Sequence, residues 1–208
     1  MNLPRLYAIS DEEIVPNEEL LEKVEEVLVA GVKLFQVRFK KTPHEEQYRL
    51  GKKLRELTRA HDALFIFNDS PEVARSVQAD GVHLGANDPR VSFARRLLGQ
   101  KAIIGVSCYD RIDRVVKWGP QEISHLGMAT PYPSPTKPKV NPDIEEFTNL
   151  VSHARVPAYA IGGVTLERVG EMLKAGCYGV AVVSAVFAAE DPARAVLEFS
   201  EEIKKYAP

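Results

Sequence analysis

The chain has 208 residues, 45% of them hydrophobic, with a formal net charge of −2, so it can bury one substantial core. Its 27 Lys and Arg are spread along the sequence against 29 Asp and Glu, which excludes a basic surface organised for nucleic acid and makes any anion binding local. No run approaches the roughly 20 apolar residues of a membrane span, and the start "MNLPRLYAIS" lacks a signal-type apolar segment. The expectation is a cytoplasmic protein in which Cys108 and Cys177, too far apart for a metal or redox motif, are reduced and buried as small hydrophobes.

Short apolar runs alternate with amphipathic segments from end to end. The first predicted strand is "LYAIS" (6–10), followed by a helix in "NEELLEKVEEVLVAG" with Leu20, Leu21, Val24, Val27 and Leu28 on one face and Gly31 as its stop. "LFQVRF" (34–39) is the second strand, and the next helix carries Leu50, Leu54 and Leu57. "ALFIFN" (63–68) runs into "NDSPEVARSV", which reads as an Asn or Asp cap before a helix with Pro71 near its first turn. "GVHLG" (81–85) precedes "DPRVSFARRLLG", and "AIIGVS" (102–107) and "ISHLGM" (123–128) complete six strands. After the proline-rich stretch 129–143 come "PAYAIG" (157–162), a helix with Val169, Met172 and Leu173, "GVAVVS" (179–184) and "DPARAVLEFSEEIKKY". Asp followed by Pro opens two of these helices, a helix-start signature.

Strands apolar on both faces that alternate with helices predict a parallel sheet. Eight such units in this length fit a single-domain (β/α)8 TIM barrel over 1–208 better than an open doubly wound sheet. Residues 129–143, with five prolines, read as a stiff functional lid and not as a domain boundary.

In such barrels the site is built at the C-terminal ends of the strands. Those ends collect Gln36, Arg38 and Lys40; Asn68 and Asp69; Asp88; Ser107; Gly162 and Gly163; and Ser184, with Thr136 and Lys137 in the lid. In "QVRFK" residues 36, 38 and 40 share one side of the strand, and an amide, a guanidinium and an ammonium in one column suit a diphosphate. The alternative is that these cations are only paired with Asp69 and Asp88. Those two acids, on neighbouring strands and without His or Cys ligands, suit Mg2+ with phosphate and water completing its shell, unless both are merely helix caps. "AIGGVT", followed by "VVS" after the eighth strand, has the makings of a phosphate cup. His83 lies inside the predicted barrel and reads as a hydrogen-bonded core histidine; His125 and the others show no partner that spacing reveals.

With these segments in view the chain resembles the thiamine phosphate synthase and thiazole tautomerase family. The resemblance rests on "GVKLFQVRFK", "FIFNDSPEVARSVQADGVHLGANDP", "IIGVSCYD", "PSPTKP" and "VPAYAIGGVTLERVGEMLKAGCYGVAVVSAVF". It implies a transferase that joins an aminopyrimidine diphosphate to a thiazole phosphate and releases pyrophosphate. Gln36, Arg38, Lys40, Asn68, Ser107 and Lys137 would hold the pyrimidine substrate, with Asp69 and Asp88 binding Mg2+ on its diphosphate. Ser134, Pro135 and Thr136 with Gly163, Val183 and Ser184 would hold the thiazole phosphate. Arg38, Ser107 and Lys137 would meet the reacting groups, Lys137 most directly. The resemblance implies small-molecule substrates and leaves a homo-oligomer open. A tautomerase would instead drop the Asp69 acid and the lid lysine and place a His in the lid, which has none; a non-catalytic phosphate-binding barrel would have lost several of these residues together. The chain departs from the family pattern at Ala129, Thr130, Pro131 and Tyr132, where Gly-Pro and an apolar pair are usual, and in "GAND", where "GQED" is common.

Overall fold

The computed structural model describes residues 2–133 and 143–206. Eight parallel strands pair in chain order: β1 (Leu6–Asp11), β2 (Leu34–Arg38), β3 (Leu64–Asn68), β4 (Gly81–Leu84), β5 (Ile103–Tyr109), β6 (His125–Ala129), β7 (Ala158–Ile161) and β8 (Gly179–Val182). Leu6 to Ala8 pair with Val180 to Val182, which closes the sheet into a barrel and leaves it without an edge. The predicted (β/α)8 TIM barrel is the fold found.

The helices are α1 (Leu20–Val29), α2 (His44–Ala60), α3 (Pro71–Ser76), α4 (Val91–Leu98), α5 (Ile112–Val115), α6 (Ile144–Ser152), α7 (Val169–Lys174), α8 (Ser184–Phe187) and α9 (Pro192–Lys204). Each long helix buries one stripe. In α1 this is Leu20, Val24, Val27 and Leu28, with Leu21 at its half-buried margin. In α2 it is Leu50, Gly51, Leu54 and Thr58, with Leu57 half-buried. Two helices were not expected: α5 is a single turn with little signal in the sequence, whereas α6 does carry one, an Asp143 cap that accepts from the Glu146 amide at 2.9 Å and a buried face of Phe147, Leu150 and Val151.

Strand alternation sorts the core into two layers. Outward-facing Phe35, Val37, Phe39, Phe65 and Phe67 pack under the helices, and the Phe35 and Phe65 rings stack at 6.0 Å. Such a pair contributes about 0.5–1.5 kcal/mol beyond its buried area. Tyr7, Ile9, Leu34, Ile66, Ile103, Tyr159 and Ala181 form the separate cluster inside the barrel. Cys108 and Cys177 are buried and unpaired, and burial pushes both thiols up to about 12, as expected for small hydrophobes.

The helix starts correct one expectation. The cap of α3 is Ser70, whose hydroxyl accepts from the Val73 amide at 3.2 Å, with Pro71 in the first turn. Arg90 stands at the α4 start, where no side chain caps, because that helix begins two residues beyond Pro89. Neither Asp69 nor Asp88 is therefore used as a cap. The Asp-Pro signature does hold at α9, where Asp191 accepts from the Arg194 amide at 2.8 Å.

Candidate active site

At the C-terminal end of β2 the side chains fall as the alternation requires. Val37 and Phe39 are buried outward, while Gln36, Arg38 and Lys40 line the opposite side, from 2% exposed at Gln36 to open at Lys40. Gln36 donates from Nε2 to the Tyr7 hydroxyl at 2.7 Å. The two cations are paired, but only one with a predicted partner. Lys40 meets Asp69, whereas Arg38 meets Asp11, its register neighbour at the end of β1. Asp11 is 3% exposed, and β1 runs one residue beyond its expected end to include it.

Glu12 continues this acidic corner. Burial works against its charge, but the Thr42 hydroxyl at 2.6 Å and the amides of Lys40, Lys41 and Thr42 hold its carboxyl below the usual carboxylate range. The turn that presents Lys40 is thus fastened to the end of β1. Nothing in the spacing of "SDEE" marks this role; it requires the β1–β2 pairing.

Asn68 is the buried last residue of β3, and Asp69 follows in the left-handed region at φ 66° with its amide donating to the His83 carbonyl at 2.8 Å. Asp tolerates this conformation better than most residues. The turn aims its carboxylate toward Asp88, which is held by the Gly85 amide at 2.6 Å. The pair converges, as the spacing predicts. Burial first, and then a hydrogen bond shared with Asp69, push the Asp88 carboxyl up to about 6. Two carboxylates that share a proton form a natural seat for a divalent cation. Among the described residues no cluster of three or more His, Cys, Asp or Glu offers a closed all-protein cage. Two acids with open positions fit Mg2+, whose remaining ligands would come from phosphate and water.

Ser107 sits on β5 just before a register shift between Ser107 and Tyr109, with Tyr109 at φ 56°. Such a bulge re-aims side chains at a barrel rim. Ser107 Oγ lies 2.9 Å from His83 Nε2, and His83 Nδ1 lies 3.3 Å from His125 Nε2. His83 is the expected core histidine, but its partnership with His125 was not visible in the sequence.

On the opposite rim, Gly162 and Gly163 take φ values of 97° and 62°. A Cβ at Gly163 would lie 2.5 Å from the Pro133 carbonyl, so the turn needs glycine there. The Thr130 hydroxyl donates to the Gly162 carbonyl, and the Arg168 guanidinium stacks 3.8 Å from the Tyr132 ring centre while donating to the Gly163 carbonyl at 2.6 Å. Thr130 and Tyr132, two of the departures from the family pattern, therefore tie the start of the proline-rich stretch 129–143 to the β7 turn. Half-buried Val183 and exposed Ser184, where α8 begins, stand on the adjacent strand end. The predicted Ser134, Pro135, Thr136 and Lys137 lie outside the described residues. A flank cavity of about 840 Å³ between α4 and α5 reaches the acidic side of the mouth at Gly85 and Asp88.

Comparison with known proteins then decides the family. Residues 6–186 match the family model described as thiamine monophosphate synthase. The chain belongs to the thiamine monophosphate synthase family. It is 37% identical over 194 residues to the thiamine-phosphate synthase of Methylococcus capsulatus, covering 93% of this chain and 86% of that protein. It is 36% identical over 205 residues to the one from Pyrococcus furiosus, covering 98% and 95%. The solved thiamine phosphate pyrophosphorylase of Pyrococcus furiosus superposes with a TM-score of 0.87 at 34% identity, covering 98% of this chain and 97% of that one. A 3-hexulose-6-phosphate synthase, at 17% identity and TM-score 0.72 over 96% and 99% of the two chains, shares the fold. The synthase-family match spans both rims of the barrel mouth.

Proposed function

We propose that this barrel joins an aminopyrimidine diphosphate to a thiazole phosphate, forming a carbon–nitrogen bond between the pyrimidine methylene and the thiazole nitrogen and breaking the bond to the departing pyrophosphate. The observation that carries this reading is the pairing of Asp69 with Asp88 beside Lys40 and Arg38, in a chain of the synthase family. A departing diphosphate needs positive charge where its own charge grows. Arg38 and Lys40 leave Asp11 and Asp69 partly for the diphosphate when substrate enters, and Asp69 is then available to the metal. Mg2+, held by Asp69 and Asp88, would offset charge on the leaving group.

Gln36, Asn68 and Ser107 present hydrogen-bonding groups from the wall of the barrel, which suits the polar edge of an aminopyrimidine. Gly163, Val183 and Ser184 frame the place for the thiazole phosphate. By resemblance Lys137 meets the pyrophosphate, and Ser134, Pro135 and Thr136 complete the thiazole side. No protein nucleophile is needed: the pyrimidine ionises to a cation stabilised by its amino group, and the thiazole nitrogen captures it. Catalysis then comes from leaving-group stabilisation and alignment. A cytoplasmic setting is part of this reading and accords with two buried, unpaired cysteines.

The test is to give the purified protein thiazole phosphate alone and then both substrates with Mg2+. Pyrophosphate release that requires both substrates supports the synthase. Tautomer exchange of the thiazole without any pyrophosphate release would make it a tautomerase instead.

A further inference from the structure

We propose that His125 and His83 form a directional hydrogen-bond relay that fixes Ser107 as a hydrogen-bond donor toward the barrel mouth, which makes both histidines positioning residues. The inference rests on the reading of Ser107 as a pyrimidine-binding residue.

The relay is built by the sheet register. His83 on β4 pairs with Gly105 on β5, and Gly105 pairs with His125 on β6, so the two imidazoles face each other across a residue without a side chain. A Cβ at Gly105 would overlap both rings, so the glycine makes room for them. The rings lie nearly parallel, with centroids 5.4 Å apart and an interplanar angle of 28°. Ser107, two residues beyond Gly105 and on the same side of β5, continues the line upward to the mouth. Exposure rises along it, from 0% at His125 to 9% at His83 and half-buried at Ser107.

The direction follows from the lower end. Tyr7 and Tyr159 stand edge-on to His125 at 5.5 Å and 5.4 Å, but the Tyr7 hydroxyl takes the Gln36 amide and the Tyr159 hydroxyl donates to the Pro4 carbonyl. Among the described residues, His125 Nδ1 is left buried with no hydrogen-bond partner. Burial, seconded by the neighbouring His83, also holds His125 in its neutral form. A neutral imidazole has one proton to place. On Nδ1 it would be a stranded buried N–H, which folded proteins tolerate less than an unused lone pair. On Nε2 it donates to His83 Nδ1. His83 then carries its own proton on Nε2 and donates to Ser107 Oγ. The Ser107 proton can no longer point at His83, and it turns toward the mouth.

A hydroxyl fixed in this sense selects a substrate atom with a lone pair. On an aminopyrimidine that is a ring nitrogen, not the exocyclic amino group. The polarity of the pocket wall is thus decided by a histidine that touches no substrate.

Nitrogen-15 NMR of the histidine side chains in the full-length protein, assigned through His83 and His125 single variants, reads the direction. Protons on Nε2 of both residues are expected; a proton on Nδ1 of His125 overturns the relay, whether or not the protein has synthase activity. Kinetics read the consequence. His125→Phe keeps a ring and removes the donor, and should raise KM for the pyrimidine diphosphate by about three- to tenfold, the effect of one neutral hydrogen bond, while KM for the thiazole phosphate stays put. His125→Gln, which offers an N–H near the Nε2 position, should recover most of that loss. Equal changes in both KM values, or none in either, would reduce the pair to packing.

Discussion

Replacing Asp69 with Asn separates the chemistry of the site from the stability of the fold. The residue sits at φ 66°, a conformation Asn adopts as readily as Asp, and its backbone bond to the His83 carbonyl is unaffected by the change. Because Ser70 caps α3, no helix start is lost. What disappears is the ion pair with Lys40, whose side chains are 42% and 25% exposed. A pair that open to solvent contributes at most about 1 kcal/mol. Relief of the crowding with Asp88 offsets part of it, so Tm should move by no more than about 2–4 °C for a chain of this length. Turnover should fall far more, by roughly a hundredfold to a thousandfold, the usual effect of removing one group that stabilises developing charge. Thermal unfolding and pyrophosphate release on the same preparation give both numbers. A variant that unfolds in proportion to its loss of activity, or one that turns over normally, would refute the assignment of Asp69 to the ligand.

Three further outcomes follow from the same geometry. In the metal-free protein the Asp88 carboxyl lies at about 6, so protonated Asp88 favours the folded state below the ordinary carboxylate range and that contribution is lost as pH rises through about 6. Mg2+ must displace this proton, and its affinity should weaken by up to about tenfold per unit as pH falls below 6; calorimetric titration at pH 5 and pH 7.5 reads the difference, and a pH-independent affinity counts against the site. His125 is held neutral by burial, so its contribution is complete above the ordinary histidine value of 6.5 and is lost as pH falls, at up to about 1.4 kcal/mol per unit. Denaturant melts should show that limb flattened in His125→Phe. Ser70→Ala should cost about 1 kcal/mol through loss of the α3 cap and leave kcat unchanged; a large fall in kcat would mean that the turn holding Asp69 depends on the cap.

The barrel is legible in the sequence because its strands are short, apolar on both faces and regularly separated by helical stripes. The column Gln36, Arg38 and Lys40 follows from strand alternation alone, and the convergence of Asp69 with Asp88 follows from neighbouring strand ends. What escaped the sequence depends on lateral pairing. Asp11 becomes the partner of Arg38 only through the β1–β2 register. The His83–His125 contact joins residues from two strands across a third, and its one local sign is Gly105 inside an otherwise apolar run. The capping preference of Asp misled at Asp88 because a carboxylate near a helix start has other amides within reach, here that of Gly85. The departures from the family pattern at Thr130 and Tyr132 find their physical reason only in the fold, where the Gly162 carbonyl and the Arg168 guanidinium, itself bonded to the Gly163 carbonyl, are their partners.

The central claim is a condensation at the barrel mouth, and the most direct measurement counts its two products together. With both substrates and Mg2+, pyrophosphate and the joined pyrimidine–thiazole phosphate, quantified by phosphate assay and mass spectrometry, should accumulate in equal amounts and stop when Mg2+ is chelated. Pyrophosphate without the joined product, or neither product at any Mg2+ concentration, would contradict the account.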